Sequence, residues 1–361
     1  MIKKNNIVFL GIFICFSVSI VSYYISNFIG SSIFHLTKSP LSTVTIAILS
    51  GLILRRAFTF TKKYDLGYQF CIKYFLKAGI ILLGIKLSLS EVLDFSLKSF
   101  SVVAPCIFFT ILLVLLIRSY FNIPKKIALL IAVGTSICGA TAIVATAPIL
   151  NAKKEEVSLA IANITLFGLF AMIFYPFLAN YLFSDNSLAV GLFLGSSIHD
   201  TAQVAGASLI YDQLYINEDV IKISTVTKLI RNTAMIIVIP FLAIKQNKIW
   251  SSENNLSSIL ELFPLFIFGF IIFIFFRSVG DFLFIQSQHS FYYFSESQWN
   301  STVLFLSSTS SFLLTISMAA IGISTDVLSL KKMGIKIFYF GFSIALFVGV
   351  LSFSIINYLI L

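Results

Sequence analysis

Residues 99–117, SFSVVAPCIFFTILLVLLI, form an apolar stretch without a single charged side chain. A helix of this length covers the hydrocarbon core of a bilayer, for which about 20 apolar residues are needed. Similar stretches recur along the chain, separated by polar residues, prolines and glycines. We predict eleven membrane-spanning segments, at about residues 7–29, 40–54, 71–88, 99–117, 127–149, 157–183, 187–210, 221–244, 257–276, 300–323 and 335–360.

The composition agrees with a membrane protein. Of the 361 residues, 58% are apolar and 11% are charged, whereas a soluble domain has about 25% charged residues. The sequence therefore predicts an all-α polytopic membrane protein with about 11 transmembrane helices (10–11), in a single transmembrane domain over residues 1–361. Residues 1–30 form an extra N-terminal span, too long for a signal peptide, and 31–361 form the core.

The net charge of +10 fits basic residues concentrated in cytoplasmic loops, so we expect no nucleic-acid partner. With the N-terminus inside, 16 of the 25 Lys and Arg residues fall on the cytoplasmic side and 7 fall outside. This bias predicts a cytoplasmic N-terminus and an external C-terminus. The loop 153–156 (KKEE) falls outside, against the bias, unless the segment 127–149 is re-entrant and that loop lies inside.

Several functional classes lack their sequence signatures. The chain has no GxxxxGK[ST] phosphate loop and no long soluble insert, which argues against a nucleotide-driven pump. The four cysteines are isolated in apolar stretches and only three histidines are present, so we expect buried thiols, no metal cluster and no cofactor.

Polar residues interrupt three predicted spans, where a polar group is costly unless it has a partner. The first interruption is GTSICGAT at 134–141, with Gly134, Thr135, Ser136, Gly139 and Thr141. Two glycines and three hydroxyls predict a helix that unwinds near mid-membrane and offers backbone N–H groups to an anion. Close helix packing through small residues is the alternative.

The second interruption is GSSIHDTAQ at 195–203, with Ser196, Ser197, His199, Asp200 and Gln203. At helical spacing Gln203 lies one turn from both His199 and Asp200, so the three would share one cavity and could relay a proton. A satisfied structural network is the alternative. Both interruptions contain G-[TS]-S-I-[CH], as repeated discontinuous helices would.

The third interruption places Lys228, Arg231 and Asn232 on one face of the span 221–244. The planar guanidinium of Arg231 suits an oxyanion, and pairing with Asp200 is the alternative role. We expect alanine at Arg231 to abolish substrate binding, and asparagine at Asp200 to remove coupling while leaving binding. A second pair of similar stretches, LGIKLS at 83–88 and IGISTD at 321–326, indicates an inverted repeat.

Five stretches carry a resemblance to a known family: LGIKLSLSEV (83–92), GTSICGATAI (134–143), SIHDTAQV (197–204), TKLIRN (227–232) and MAAIGISTD (318–326). In this order they resemble the YeiH-type bacterial inner-membrane proteins, described as a sulfate exporter family. The resemblance covers roughly residues 40–350. It implies a multi-pass transporter of ten or eleven helices in the bacterial inner membrane, akin to the bile-acid/sodium symporter superfamily with its crossing broken helices.

Together these features predict a secondary active transporter of a small anion, sulfate or a related sulfur oxyanion, coupled to protons or sodium. The expected coupling residues are His199, Asp200 and Gln203; in the sodium variant Asp200, Gln203 and unwound carbonyls ligate the cation. The expected substrate-binding residues are Gly134, Thr135, Ser136, Gly139, Thr141, Ser196, Ser197, Lys228, Arg231 and Asn232.

Two other functions stay open on the sequence alone. A passive anion channel would show flux without coupling. An intramembrane hydrolase would use Ser136 or Ser197 as nucleophile and His199 as base, although Ser197 is only two residues from His199 and would point away on one helix. We expect no enzymatic activity. A homodimer is compatible with the predicted architecture.

Overall fold

The computed structural model describes residues 2–33, 41–58, 63–183, 186–245, 266–287, 295–325 and 334–360. Every regular element of these residues is a helix, which confirms the predicted all-α polytopic class. Eight helical stretches are long and apolar enough to cross a membrane: Asn6–Ser32, Asp65–Lys86, Leu89–Ile117, Lys154–Phe183, Glu218–Leu242, Phe266–Phe284, Glu296–Ser324 and Ile335–Leu359.

The described residues form a series of α-helices. In chain order they are α1 (Ile2–Phe28), α2 (Thr43–Ala57), α3 (Asp65–Phe70), α4 (Leu76–Leu83), α5 (Leu89–Ile117), α6 (Lys125–Ser136), α7 (Ala140–Thr146), α8 (Lys154–Phe183), α9 (Ser187–Ser197), α10 (Thr201–Tyr215), α11 (Glu218–Thr233), α12 (Met235–Lys245), α13 (Phe266–Ser287), α14 (Glu296–Ser324) and α15 (Ile335–Leu359). A π-helical turn, Cys71–Phe75, joins α3 to α4, and a 3₁₀ turn, Gly84–Lys86, extends α4.

The described residues group into two compact units, each assembled from segments distant in sequence. The first unit comprises Met1–Leu93, Leu209–Glu218 and Leu265–Asp326, within the described ranges. The second comprises Asp94–Ser208, Asp219–Pro264 and Val327–Leu361, with the same restriction. The single transporter domain over 1–361, with its extra span 1–30, stays a prediction.

Glycines bring helix backbones into close contact in the first unit. A Cβ atom at Gly51 of α2 would lie 2.8 Å from the carbonyl oxygen of Ala319 in α14. A Cβ atom at Gly322 of α14 would in turn collide with the carbonyl oxygen of Ile48 in α2. Because backbone atoms cannot move aside as a side chain can, the α2–α14 crossing depends on glycine at both positions.

Helices α6 and α7 of the second unit form a hairpin. The chain bends at Gly139, whose φ of 72° lies in a region that favours glycine. Gly134 of α6 packs on Ile143 of α7, and the Lys126 ammonium donates a 2.8 Å hydrogen bond to the Asn151 carbonyl. In a continuous helix, Lys126 and Asn151 would lie about 35 Å apart. The fifth predicted span is therefore re-entrant: its two ends lie side by side.

Helix α9 runs parallel to α11. A Cβ atom at Gly191 would lie 2.6 Å from Cβ of Ile223, and one at Gly195 would lie 2.6 Å from Cβ of Thr227. Residue numbers therefore rise together along the two helices. The small glycine face lets α9 lie directly against α11, and this contact positions the end of α9 beside the polar residues of α11.

Helix α10 runs in the opposite direction along α11. The hydroxyl oxygens of Ser208 and Ser224 lie 2.6 Å apart, while the Asn232 amide donates to the Thr201 hydroxyl over 3.2 Å. Residue numbers thus fall along α11 as they rise along α10. Since α9 is parallel and α10 antiparallel to the same helix, α9 and α10 form a second hairpin.

The two hairpins correspond to the predicted spans 127–149 and 187–210. The other nine predicted spans correspond to the eight long helical stretches and to α2, which has 15 residues. Residues 257–265 of the span 257–276 lie outside the described residues. Length and apolar composition identified all eleven segments, but two of them turn back instead of continuing as straight helices. A turn inside the membrane leaves backbone groups unsatisfied, and these need partners from elsewhere in the protein.

Candidate functional site

The tips of the two hairpins, residues 137–139 and 198–200, meet at Lys228 of α11. The Lys228 ammonium donates to the carbonyl oxygens of Ile137 (3.1 Å), Ile198 (3.0 Å) and His199. An ammonium group has three N–H donors, so all of them are engaged. A single side chain therefore joins both tips.

Arg231, one turn further along α11, also bridges the hairpins. Its Nε donates to the carbonyl of Ser136 (2.7 Å), and its terminal nitrogens donate to the carbonyls of Thr135, Ser196 (2.6 Å) and Ile198 (2.9 Å). These acceptors lie at the C-terminal ends of α6 and α9, where carbonyl groups have no partner within their own helix.

The positions of the two cations follow from the helix dipoles. The C-terminal end of a helix carries roughly half a negative charge, and two such ends meet here. Lys228 and Arg231 are each 1% exposed. A charge buried so deeply is costly unless it is paired and hydrogen-bonded, and the converging carbonyl groups meet both conditions.

Asp200 lies near the N-terminal ends of α7 and α10, the second helices of the two hairpins. One carboxylate oxygen accepts the Ala202 N–H (2.9 Å), and the Gln203 side chain accepts the Asp200 N–H (3.3 Å). Asp200 therefore caps the start of α10, and the Gln203 side chain bonds back to the capping residue. A Cβ atom at Gly139 would lie 2.6 Å from the other carboxylate oxygen, so Asp200 also adjoins the start of α7. Helix N-termini stabilise negative charge.

Gln203 is held in place by its surroundings. Its amide group donates to the carbonyl of Thr165 (3.4 Å), and its side chain packs directly on Gly168 of α8. Because α10 begins only at Thr201, His199 is not helical, and the predicted one-turn spacing from His199 to Gln203 does not exist. The coupling role of His199, Asp200 and Gln203 stays a prediction.

The serine hydroxyl groups near the tips bond to their own helices, and the Ser196 hydroxyl also lies 2.5 Å from the Ser352 hydroxyl of α15. Ser136, Ser196 and Ser197 each donate to the carbonyl four residues earlier, at 2.5 to 2.6 Å. Thr135 is buried at the end of α6, while Thr141 is exposed on α7. None of the three serine hydroxyls contacts an imidazole nitrogen in the described residues, so the arrangement gives no support to a serine nucleophile activated by His199.

Two buried polar atoms at this site, Nδ1 of His199 and Oδ1 of Asn232, form no hydrogen bond with any residue that the structure describes. The nitrogen of the same Asn232 amide bonds to Thr201, a residue that the sequence prediction omitted although it follows Asp200 directly. The position of Thr201 directly after Asp200, a predicted coupling residue, could have marked it as a candidate site residue. The described residues contain no cluster of three or more His, Cys, Asp or Glu side chains that would hold a metal ion.

The comparisons with known proteins agree with this picture of a membrane protein. The family described as Conserved hypothetical protein 698 matches residues 10–341. Relatives named UPF0324 membrane proteins match about nine-tenths of the chain. The chain belongs to this family. No solved structure matches it significantly.

Individual relatives in the family come from distant bacteria. The UPF0324 membrane protein FN0533 of Fusobacterium nucleatum is 31% identical, over 92% of this chain and 92% of the relative. A UPF0324 membrane protein of Streptococcus pneumoniae is 31% identical over 89% and 88%. The UPF0324 membrane protein BH02290 of Bartonella henselae is 30% identical over 99% and 96%. These names specify a membrane protein and no substrate, so the sulfate exporter designation remains a hypothesis.

Proposed function

We propose that the protein is a secondary active transporter. One observation carries the proposal: two helical hairpins of a polytopic membrane protein meet tip to tip at buried charged residues. Discontinuous helices whose ends converge on one point are the usual construction of substrate and ion sites in secondary transporters. Charged residues inside a membrane protein are costly to bury and mark transport pathways.

The proposed substrate is a small anion, sulfate or a related sulfur oxyanion. The resemblance to the YeiH-type family supports this choice, as does the surplus of two buried cations, Lys228 and Arg231, over one carboxylate, Asp200. In the described conformation every donor of Lys228 bonds to a carbonyl group. The two cations would therefore attract the anion by their charge, or by exchanging a carbonyl partner for substrate.

The remaining predicted site residues take their roles from this arrangement. Gly134, Gly139 and the hydroxyl residues at the tips would shape the binding site, while His199 and Asp200 would bind the coupling ion, H⁺ or Na⁺. The proposed location is the bacterial inner membrane, with the N-terminus in the cytoplasm. A homodimer is compatible with the proposal.

Uptake of radiolabelled sulfate into proteoliposomes tests the proposal. Purified full-length protein is reconstituted, a proton or sodium gradient is imposed, and sulfite, thiosulfate and sulfonates are added as competitors. We expect saturable uptake that depends on a gradient and is inhibited by at least one sulfur oxyanion. Flux without saturation or coupling would instead indicate a channel. No uptake of any anion from folded protein would contradict the proposed substrate class.

A further inference from the structure

Basic side chains surround the two ends of the first hairpin, in the second unit. They come from the end of α5 and the starts of α6 and α8: Arg118, Lys125, Lys126, Lys153 and Lys154. The hydrogen bond from the Lys126 ammonium to the Asn151 carbonyl (2.8 Å) holds the start of α6 beside the start of α8. Val114 of α5 and Ile127 of α6 belong to one apolar cluster, against which Val157 of α8 packs. The five cations therefore form one surface, the hairpin patch.

The hairpin patch carries a surplus of positive charge. Its four lysines are exposed. Among the residues that the structure describes, no carboxylate lies within the 4.0 Å of an ion pair from a basic nitrogen of the patch. Two acidic residues follow in the chain, Glu155 and Glu156, and the Glu156 carboxylate accepts the Lys153 N–H (2.7 Å). Lysine at a helix start is unfavourable beside the helix dipole, so these lysines do not serve to stabilise α6 and α8.

The hairpin patch lies where two spanning helices end. Helix α5 ends at Ile117 and α8 begins at Lys154, and both are long and apolar enough to cross a membrane. Tyr120, which follows α5 closely, is exposed, and an exposed tyrosine at the end of a span is typical of the headgroup level. The patch is therefore at the level of the lipid headgroups.

A groove of about 320 Å³ opens beside Lys154 on the surface of α8. Its lining residues are Ala152, Lys154, Val157, Ser158 and Ile161. Lys154 and Ser158 lie one turn apart, as do Val157 and Ile161. Along α8 the lining thus changes from charged at the membrane surface to apolar about 10 Å deeper. A ligand that fits this gradient has an anionic head and an apolar chain.

We propose that the hairpin patch and this groove bind an anionic phospholipid, with its phosphate at Lys153 and Lys154 and an acyl chain along Val157 and Ile161. Clusters of four or more basic residues at the end of a spanning helix are typical of anionic-lipid sites, and lysine binds phosphate as a point charge. A free phosphate ion would leave the apolar part of the groove unused. The bound lipid would offset the mutual repulsion of the lysines that the hairpin brings together. The inference is independent of the proposed function.

Native mass spectrometry of the purified full-length protein in detergent counts the bound lipids. We expect dioleoylphosphatidylglycerol to bind in preference to dioleoylphosphatidylcholine, which has the same chains and no net charge. Lys153→Gln with Lys154→Gln should weaken phosphatidylglycerol binding about tenfold or more. Lys98→Gln with Lys222→Gln is the matched control: it removes the same charge from two lysines that form ion pairs within their own helices, and binding should not change.

A second pair of variants tests the groove without changing the charge. Ser158→Phe fills the groove and should reduce phosphatidylglycerol binding. Ser354→Phe is the control, because Ser354 is exposed on α15 and its hydroxyl donates to the Val350 carbonyl (2.9 Å), away from the groove. All these substitutions change exposed or partly exposed side chains, and size-exclusion chromatography establishes that each variant is folded.

The outcomes separate a lipid from a free anion. Glycerol phosphate, which has the phosphate and no acyl chain, should not displace phosphatidylglycerol even in large excess. Its displacement of the lipid, or unchanged binding by Ser158→Phe, would show that charge alone holds the ligand and overturn the lipid site. Equal binding of the two phospholipids, or unchanged binding by the Lys153 and Lys154 double variant, would overturn it as well. Because no transport substrate is present, failure of the uptake assay leaves this result unaffected.

Discussion

Arg231 shows how a buried cation can hold a backbone together. Its guanidinium group donates to four carbonyl groups on two hairpins, so it joins α6 and α9 whatever its part in transport. We predict that Arg231→Gln lowers the free energy of unfolding by about 3 kcal/mol or more, because several buried carbonyl groups lose a charged donor. Denaturant unfolding in detergent micelles measures the loss.

Arg277→Gln is the control for this prediction. Arg277 forms an ion pair with Asp281 at 2.6 Å, and both side chains are partly exposed, so its removal should cost less than about 1 kcal/mol. The sequence analysis assigns Arg231 to an oxyanion or to Asp200; a role at the substrate without a bridging role would give lost binding with unchanged stability. That result would contradict the bridging role described here.

The sequence located the charged residues of this site but not their partners. Lys228, Arg231 and Asp200 stand out because they interrupt apolar segments, where a charged side chain is costly unless it has a partner. Their partners, however, are mainly backbone groups, carbonyls for the two cations and an N–H for Asp200, which no sequence pattern marks. The spacing argument for Gln203 failed for a related reason: it assumed a helix through His199, where the hairpin turns.

At the scale of the elements, hydropathy found the segments but not their direction. The runs 127–149 and 187–210 are each long enough to cross a bilayer, so length alone predicts two spans. Whether a broken helix continues or returns depends on what its second half packs against. In the first hairpin Gly134 meets Ile143, and such a pairing across a turn is a tertiary contact with no periodic signature.

The inverted repeat predicted from LGIKLS and IGISTD stays a prediction, but the glycine of each stretch makes a close backbone contact in the first unit. The glycine of LGIKLS, Gly84, approaches the carbonyl of Phe270 in α13. The glycine of IGISTD, Gly322, approaches the carbonyl of Ile48 in α2. Each glycine therefore lies against the backbone of a neighbouring helix. Asp326, the last residue of IGISTD, lies outside the described residues.

If the two contacts are equivalent, equal substitutions should have equal effects. We predict that Gly84→Ala and Gly322→Ala each destabilise the protein by about 1–3 kcal/mol, because the added methyl group meets backbone in both cases. Gly349→Ala is the control, since its Cβ would meet only the hydroxyl of Tyr175, at 2.9 Å, which can move aside. Thermal unfolding of the three variants measures the effect. Destabilisation by only one of the first two would argue against equivalence.

For the whole molecule, the first hairpin resolves a conflict in the charge distribution. With the segment 127–149 as a span, the loop 153–156 falls outside and carries Lys153 and Lys154 against the positive-inside rule. The hydrogen bond from Lys126 to Asn151 places both ends of the hairpin together. With a cytoplasmic N-terminus, as the sequence predicts, the two lysines would then join the cytoplasmic set. We expect α8, which is long and apolar enough to cross a membrane, to start the second hairpin from the opposite side.

We therefore predict that Tyr120 and Lys154 face the cytoplasm and that Asp219 faces outward; all three are exposed. Single cysteines at these positions, in a chain whose four buried cysteines have been replaced, report the side by reaction with a membrane-impermeant thiol reagent. Asp219→Cys should react in intact cells, whereas Tyr120→Cys and Lys154→Cys should react only after permeabilisation. Reaction of Lys154→Cys in intact cells, with Tyr120→Cys protected, would mean that the first hairpin crosses the membrane. That result would return the loop 153–156 to the outside and leave its lysines unexplained.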